Sequence, residues 1–264
     1  ADSTPTTGSF SRRSSQTGVF FRLHKQFEKS KLIPGVRLQL LNEGQVNALT
    51  SLRYQWDFVG DYKFEYHAAN GIKEPSLYQR FSSYGNSQLV SEKVEYHHIG
   101  FGKETATSKM LFLIFQQWYR ELVQFNLATS KYENISSANI KGFEFQFSRD
   151  FGRVKLSFSG SEIYAQDGQG IYLTRRPRQQ LTLNTDHYSG RFQFAPLIIW
   201  KGQREDSTTS GRVFLPSATQ FDFGMKYYFS SEMVLEGAIR NILGQDLVEA
   251  YGYQGLGRRI EVGF

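Results

Sequence analysis

The residues of this chain best suited to chemistry are its histidines and its loop aromatics, and they point to different kinds of site. His97 and His98 form the one adjacent pair of imidazoles. Successive side chains of a strand point to opposite faces, so these two cannot chelate one ion. Cysteine is absent, which removes thiolate metal sites and disulfides. No spacing of Ser, His and Asp reads as a catalytic set; a hydrolase would need His24, His67, His97 or His187 beside an inward carboxylate at a rim. The expectation is no catalytic residue, no metal, no cofactor and no enzyme.

The second group lies in polar stretches: Tyr78, Arg80, Phe81 and Tyr84, then Tyr132 and Asn134, Tyr164 and Tyr172, and Tyr251 and Tyr253. Aromatic rings with neighbouring amides suit non-covalent capture of a bulky, partly apolar ligand. The same rings equally suit a membrane-interface belt or packing between loops.

The segments that position these residues alternate with period two. Val19, Phe21, Leu23 and Phe27 oppose Arg22, His24 and Gln26; Val36, Leu38 and Leu40 oppose Arg37 and Gln39. Leu52, Tyr54, Trp56 and Phe58 oppose Arg53, Gln55 and Asp57, and Phe64 and Tyr66 oppose Lys63, Glu65 and His67. The pattern blurs at 94–103 and turns apolar on both faces at 110–119. It returns at Phe143, Phe145 and Phe147 against Glu144 and Gln146, and continues through Lys155, Glu236 and Arg240 to Ile260, Val262 and Phe264 against Arg259 and Glu261. One face is apolar; the other carries Arg22, Arg37, Arg53, Glu65, Glu144, Lys155, Glu236, Arg240 and Glu261.

About thirteen such strands are legible. Tight turns near 28–31, 59–61, 104–107, 150–153, 187–190 and 229–232 interleave with longer polar loops near 69–92, 120–139, 165–178, 201–218 and 243–257. That asymmetry belongs to outer-membrane barrels, and the expected fold is an all-β, transmembrane antiparallel β-barrel whose charged face lines water. The mean hydropathy of -0.46 does not oppose it, since a spanning strand needs only every second residue apolar. Aromatics at 16%, including 23 Phe and 15 Tyr, favour strands. No run approaches a membrane helix. The net charge of +6 is dispersed among apolar residues, so no nucleic-acid partner is expected. Residues 1–8 lack the charged and apolar stretches of a signal peptide.

Four segments resemble, in order, the motifs of TonB-dependent outer-membrane receptors. These are residues 70–81 (Asn-Gly-Ile-Lys-Glu-Pro-Ser-Leu-Tyr-Gln-Arg-Phe) with Tyr84-Gly85-Asn86; Ile140-Lys141-Gly142-Phe143-Glu144; Arg175-Arg176-Pro177-Arg178; and Arg240-Asn241-Ile242-Leu243 with Tyr251-Gly252-Tyr253-Gln254 and Gly257-Arg258. Ile242 and Leu243 replace the usual Leu-Phe, and Gly244 stands where Asp is common. The Tyr-Gly-Tyr-Gln segment is most similar to the cobalamin transporters of that family.

The resemblance implies a location in the outer membrane of a Gram-negative bacterium. It also implies active uptake of a scarce, bulky nutrient, cobalamin or an iron carrier such as a siderophore or haem, with energy arriving through TonB. It further implies a plugged barrel of about 22 strands, of which this chain carries the C-terminal part. Residues 17–264 would form that part and residues 1–16 an extracellular loop segment, with no plug and no TonB-binding segment in this chain. The partners implied are the remaining strands and plug on the same or a separate chain, the TonB complex, a small-molecule ligand and outer-membrane lipid. Ile260, Val262 and Phe264 would be the assembly signal, and the inward charges would face the plug. A passive porin and an outer-membrane hydrolase are the alternatives.

Overall fold

The computed structural model describes residues 14–41 and 46–263, so residues 1–13 of the expected loop segment and Phe264 lie outside the described residues. The elements are β1 Gln16–Arg22, β2 Lys25–Gln26, β3 Ser30–Leu41, β4 Val46–Asp57, β5 Tyr62–Lys73, α1 Leu77–Phe81, β6 Glu92–Glu104, β7 Ser108–Asn126 and β8 Lys131–Asp150. They continue with β9 Val154–Asp167, β10 Gln179–Ser189, β11 Phe192–Lys201, β12 Arg204–Thr208, β13 Gly211–Leu215, β14 Ala218–Tyr228, β15 Val234–Arg240 and β16 Arg259–Gly263.

Every neighbouring pair in the main sheet is antiparallel, and the sheet runs in chain order from β1 through β3–β11 to β14, β15 and β16. β2 continues the line of β1 against β3, pairing Lys25 with Leu32 in the register that already pairs Arg22 with Gly35. The exception to the meander is the β12–β13 hairpin, which pairs only with itself. None of the described helices is long and apolar enough to cross a membrane.

Directly paired residues of an antiparallel sheet share a face, so register can be followed from strand to strand. Arg22 pairs with Gly35 and Gly35 with Ser51, two residues from Arg37 and Arg53 respectively; Arg53 pairs with His67 and His67 with His98. The same face passes through Phe115, Gly142, Glu144, Ser161, Gln180, Lys201 and the β14 and β15 partners to Glu261. All nine charges expected on the polar face lie on it. The opposite face carries a cross-strand row, Trp56, Phe64, Phe101, Phe112 and Phe145, and farther on Phe223, Ile239 and Ile260. Side chains there are exposed despite being large and apolar, Phe21, Ile114, Ile260 and Val262 among them, as a lipid-facing wall requires.

The doubly apolar stretch at 110–119 has a local cause. Phe115, on the polar face, is buried with Ala138, Ile140, Ala165 and Leu173, with Tyr96 and Tyr119 packed alongside. Leu173 belongs to the β9–β10 connection and bonds back through its N–H to the Ala165 carbonyl at 2.9 Å. The connection therefore folds over the wall, and the wall beneath it is apolar.

Two loop expectations are corrected. The stretch 120–139 is no loop: β7 and β8 run on as a paired hairpin, Leu122 with Ile135 and Phe125 with Tyr132, because apolar alternation persists up to a turn at 127–130. Asn126 Oδ1 closes that turn by accepting from the Ala128 N–H. The stretch 201–218 contains the β12–β13 hairpin.

Candidate functional site

The long connections, 74–91, 168–178, 202–217 and 241–258, emerge from the same end of the meander as the β7–β8 tip, and the tight turns close the other end. Two side-chain clusters are built there.

The first joins the β5–β6 connection to the β7–β8 tip. Pro75 and Ser76 start α1; the Ser76 hydroxyl accepts from the Gln79 N–H at 3.1 Å while the Gln79 amide accepts from the Ser76 N–H at 2.8 Å, a capping box that fixes this single turn. The chain then folds back so tightly that a Cβ on Gly85 would sit 2.6 Å from the Arg80 carbonyl carbon, which explains glycine in Tyr84-Gly85-Asn86. Tyr78 meets Tyr132 edge-on at 6.2 Å, Tyr84 meets Phe125 at 5.9 Å, and Phe125 meets Tyr132 at 5.2 Å. The Tyr132 N–H donates to the Tyr84 carbonyl and the Lys131 ammonium to the Ser83 carbonyl.

Tyr78, Tyr84, Tyr132 and Asn134 are thus brought together, though Tyr132 and Asn134 stand on β8 and not in a loop. The Asn134 amide is fully employed: it donates to the carbonyls of Val90 and Glu121 and accepts from the Val90 N–H at 3.0 Å. It clamps the two segments together. Arg80 turns to the Leu89 carbonyl and to Glu74, at 3.1 and 3.7 Å. With Phe81, Glu74, Leu89 and Ser91 it lines a cavity of about 690 Å³ beneath α1, a volume within the range of small-molecule sites.

The second cluster centres on Asp206, which the sequence does not single out. Its carboxylate has no exposed surface. It accepts from Arg175 Nε at 2.9 Å and from the N–H groups of Ser207 and Tyr251, both at 2.8 Å. Burial pushes this carboxyl up, but the two amides and the guanidinium outweigh burial and hold it below its ordinary value. Arg212 ties Tyr172 through its carbonyl and Glu205 through its carboxylate, and Arg204 donates to the Val248 carbonyl. One short hairpin thereby holds both the 168–178 and the 241–258 connections. The Arg178 guanidinium lies 3.7 Å over the Tyr172 ring. Tyr172, Arg176, Arg178, Arg204 and Phe214 line a second cleft of about 280 Å³.

Asn241 anchors the far connection. Buried at φ 50°, it donates to the Gln245 and Leu256 carbonyls and accepts from Gln245, while its own N–H donates to Asp222. Tyr251 and Tyr253 project from this connection, 56% and 73% exposed. Tyr164 is corrected: it lies within β9, paired with Lys141 on the apolar face, and its hydroxyl donates to Glu162 at 2.7 Å. Alternation along β9 takes it to that face.

On the polar face, Arg240 links Asp222 and Glu261, and Arg259 reaches Glu261 at 2.8 Å. Glu236 pairs with Lys226, and Lys155 with Asp150. Glu65 meets His98 at 3.1 Å. The histidine beside an inward carboxylate is therefore His98, outside the four considered from the sequence, and it sits within the sheet, away from the loop rim. Its other ring nitrogen lies 2.7 Å from the Tyr96 hydroxyl. His97 faces the other way, to Tyr66 and Trp118.

A family model described as TonB dependent receptor-like, beta-barrel, matches residues 1–242. Among solved structures, the siderophore receptor PirA from Acinetobacter baumannii superposes with a TM-score of 0.77 at 15% identity, over 94% of this chain and 45% of that one. The ferric enterobactin receptor PfeA from Pseudomonas aeruginosa gives 0.78 at 15%, over 93% and 44%. The ferripyoverdine receptor of Pseudomonas aeruginosa gives 0.75 at 14%, over 93% and 37%. The chain spans less than half the length of these receptors, and at such identities the likeness is one of fold.

Proposed function

Because the chain belongs to the TonB-dependent receptor-like β-barrel family and so lies in the outer membrane of a Gram-negative bacterium, we propose that it is the C-terminal part of a plugged barrel of about 22 strands. In this reading residues 17–264 supply about thirteen strands, residues 1–16 belong to an extracellular loop, and the whole receptor takes up a ferric siderophore with energy delivered through TonB. The observation that carries it is the joint placement of aromatic and cationic side chains at the long-loop end, above a sheet whose two faces stay distinct from β1 to β16.

No covalent step is asked of the chain. Tyr78, Tyr84 and Tyr132 supply ring surface on one side of the mouth; Tyr172, Arg176, Arg178 and the exposed Tyr251 and Tyr253 supply it on the other. The arginines favour an anionic ligand, as many ferric siderophores are, and the three receptors named above are described by siderophores. The remaining strands pair with the edges at β1 and β16, and the plug meets the polar face. Ile260, Val262 and Phe264 serve recognition during assembly.

Cobalamin remains the second reading, favoured by Tyr251-Gly252-Tyr253-Gln254. The test is uptake of radiolabelled ferric siderophores and of cyanocobalamin by cells expressing the full receptor that contains this segment, with and without TonB. TonB-dependent accumulation of a ferric siderophore is expected. Accumulation of cyanocobalamin alone would replace the ligand, and TonB-independent passage of ions and small solutes would replace the transporter with a porin.

A further inference from the structure

We propose that the apolar face carries, at its loop-end margin, a binding site for a phosphorylated lipid headgroup of the outer leaflet, formed by Lys93, Arg120 and Lys141 around Trp118. Register places them on the face of the apolar rows. Lys93 pairs directly with Arg120; one step down the strands Glu95 pairs with Trp118 and Trp118 with Asn139; one step further His97 pairs with Gln116 and Gln116 with Lys141. The next row, Ile99, Ile114 and Phe143, begins the lipid-facing wall.

Charge is the first argument. Like charges directly opposite on neighbouring strands are destabilising, yet Lys93 and Arg120 are so placed, and neither they nor Lys141 form an ion pair among the described residues. The acidic groups nearby make their contacts with other residues: Glu95, on the same face and half exposed, lies 3.2 Å from His97, Glu162 accepts from Tyr164, and Asp167 accepts the N–H groups of Gln169 and Ile171. An external anion would relieve the repulsion, and a phosphate oxygen is the acceptor that guanidinium and ammonium groups favour.

Depth is the second. Trp118, in edge contact with His97 at 5.5 Å, and Tyr66, whose hydroxyl meets His97, mark an interfacial belt. Arg120 is the next same-face residue beyond Trp118, about 7 Å toward the loops, which is headgroup level. Shape is the third: clefts of about 240 and 400 Å³ flank Trp118 and Arg120, both also lined by Glu95, the first reaching Ile72 and Lys93, the second Ser137, Asn139 and Asp167. Phosphates would seat at the cations while acyl chains descend over Ile99, Ile114 and Phe143.

The experiment is native mass spectrometry of the full receptor in detergent, titrated with bis-phosphorylated lipid A and, in parallel, with the same lipid stripped of phosphate. The wild type should retain the phosphorylated lipid, with the K93Q/R120Q double variant binding about 25-fold more weakly and K141Q about fivefold, from a headgroup attraction of ~1 kcal/mol per cation. The stripped lipid should bind both forms equally weakly. Equal retention of the two lipids by the wild type, which needs no variant to fold, would overturn the proposal. So would undiminished binding by a double variant that still migrates as a folded barrel on an unheated gel.

Discussion

Replacing Asp206 with alanine should release the 168–178 and 241–258 connections while leaving the sheet intact. The carboxylate is wholly buried and holds three donors from three segments: Arg175 Nε, the Ser207 N–H and the Tyr251 N–H. Removing one partner of a buried ion pair costs about 3–5 kcal/mol. The Arg175 side chain is 54% exposed and regains water once released, which argues for the lower end. The orphaned Tyr251 and Ser207 amides argue for the upper, since a hydrogen bond to a charged acceptor contributes about 1.5–3 kcal/mol. At 1.4 kcal/mol per factor of ten, the Tyr251 amide should lose roughly two to three orders of magnitude of hydrogen-exchange protection. Amides of the β8–β9 ladder should be unaffected, and Asp206→Asn, which keeps an acceptor oxygen, should fall between. Unchanged exchange at Tyr251 in Asp206→Ala would refute the clamp.

Phe145→Arg, on the lipid-facing row, should cost about 2–4 kcal/mol near mid-membrane and reduce heat-resistant folded receptor on unheated gels, whereas Gln146→Arg, on the opposite face, should not; equal tolerance would sink the face assignment. Gly142→Ala should destabilise by about 3 kcal/mol, read as a lower midpoint of thermal unfolding, because the new Cβ would lie 2.1 Å from the Glu162 carbonyl oxygen. Acid should loosen the Asp206 clamp: its carboxyl is held below the ordinary 3.8, so the stabilisation is full above that value and is lost as pH falls through the lowered one. Proteolysis of the 241–258 connection, followed with an acid-active protease, should therefore rise only below that range and be pH-insensitive in Asp206→Ala.

Most of the wall was legible because alternation is local. Arg53 and Glu65 declare their face through Leu52, Tyr54, Phe64 and Tyr66, residues next to them in sequence. The extended hairpin at 122–135 does not stand out in the sequence because Arg120 and Glu121 put two charges in succession ahead of it, although the pairing register runs unbroken from Arg120–Ser137 to Asn126–Lys131. The clamps were not legible at all. Asp206 finds Arg175 across 31 residues and Tyr251 across 45, and no spacing rule links a carboxylate to partners that only the meander brings near. The motifs drew attention to Gly142 and Asn241, but their reasons, contact with a neighbouring backbone and a buried amide holding a connection together, are properties of the folded sheet.

The charges of the polar face are unevenly satisfied, and the unevenness bears on what that face meets. Toward β16, Arg240, Arg259, Glu261, Asp222, Lys226 and Glu236 neutralise one another. Toward β1, Arg22, Arg37 and Arg53 stand on three adjacent sheet lines, Arg22 two residues in register from each of the other two and those two four apart, with no ion pair among the described residues. A water-filled pore alone would leave them hydrated at little cost, so the patch by itself does not demand a partner. A protein plug against this wall would desolvate them, and burying an unpaired charge is expensive. If a plug fills the lumen as proposed, the part of it facing β1–β4 must therefore present carboxylates or ordered water. The part facing β14–β16 meets a wall whose charges are already paired and has no such obligation.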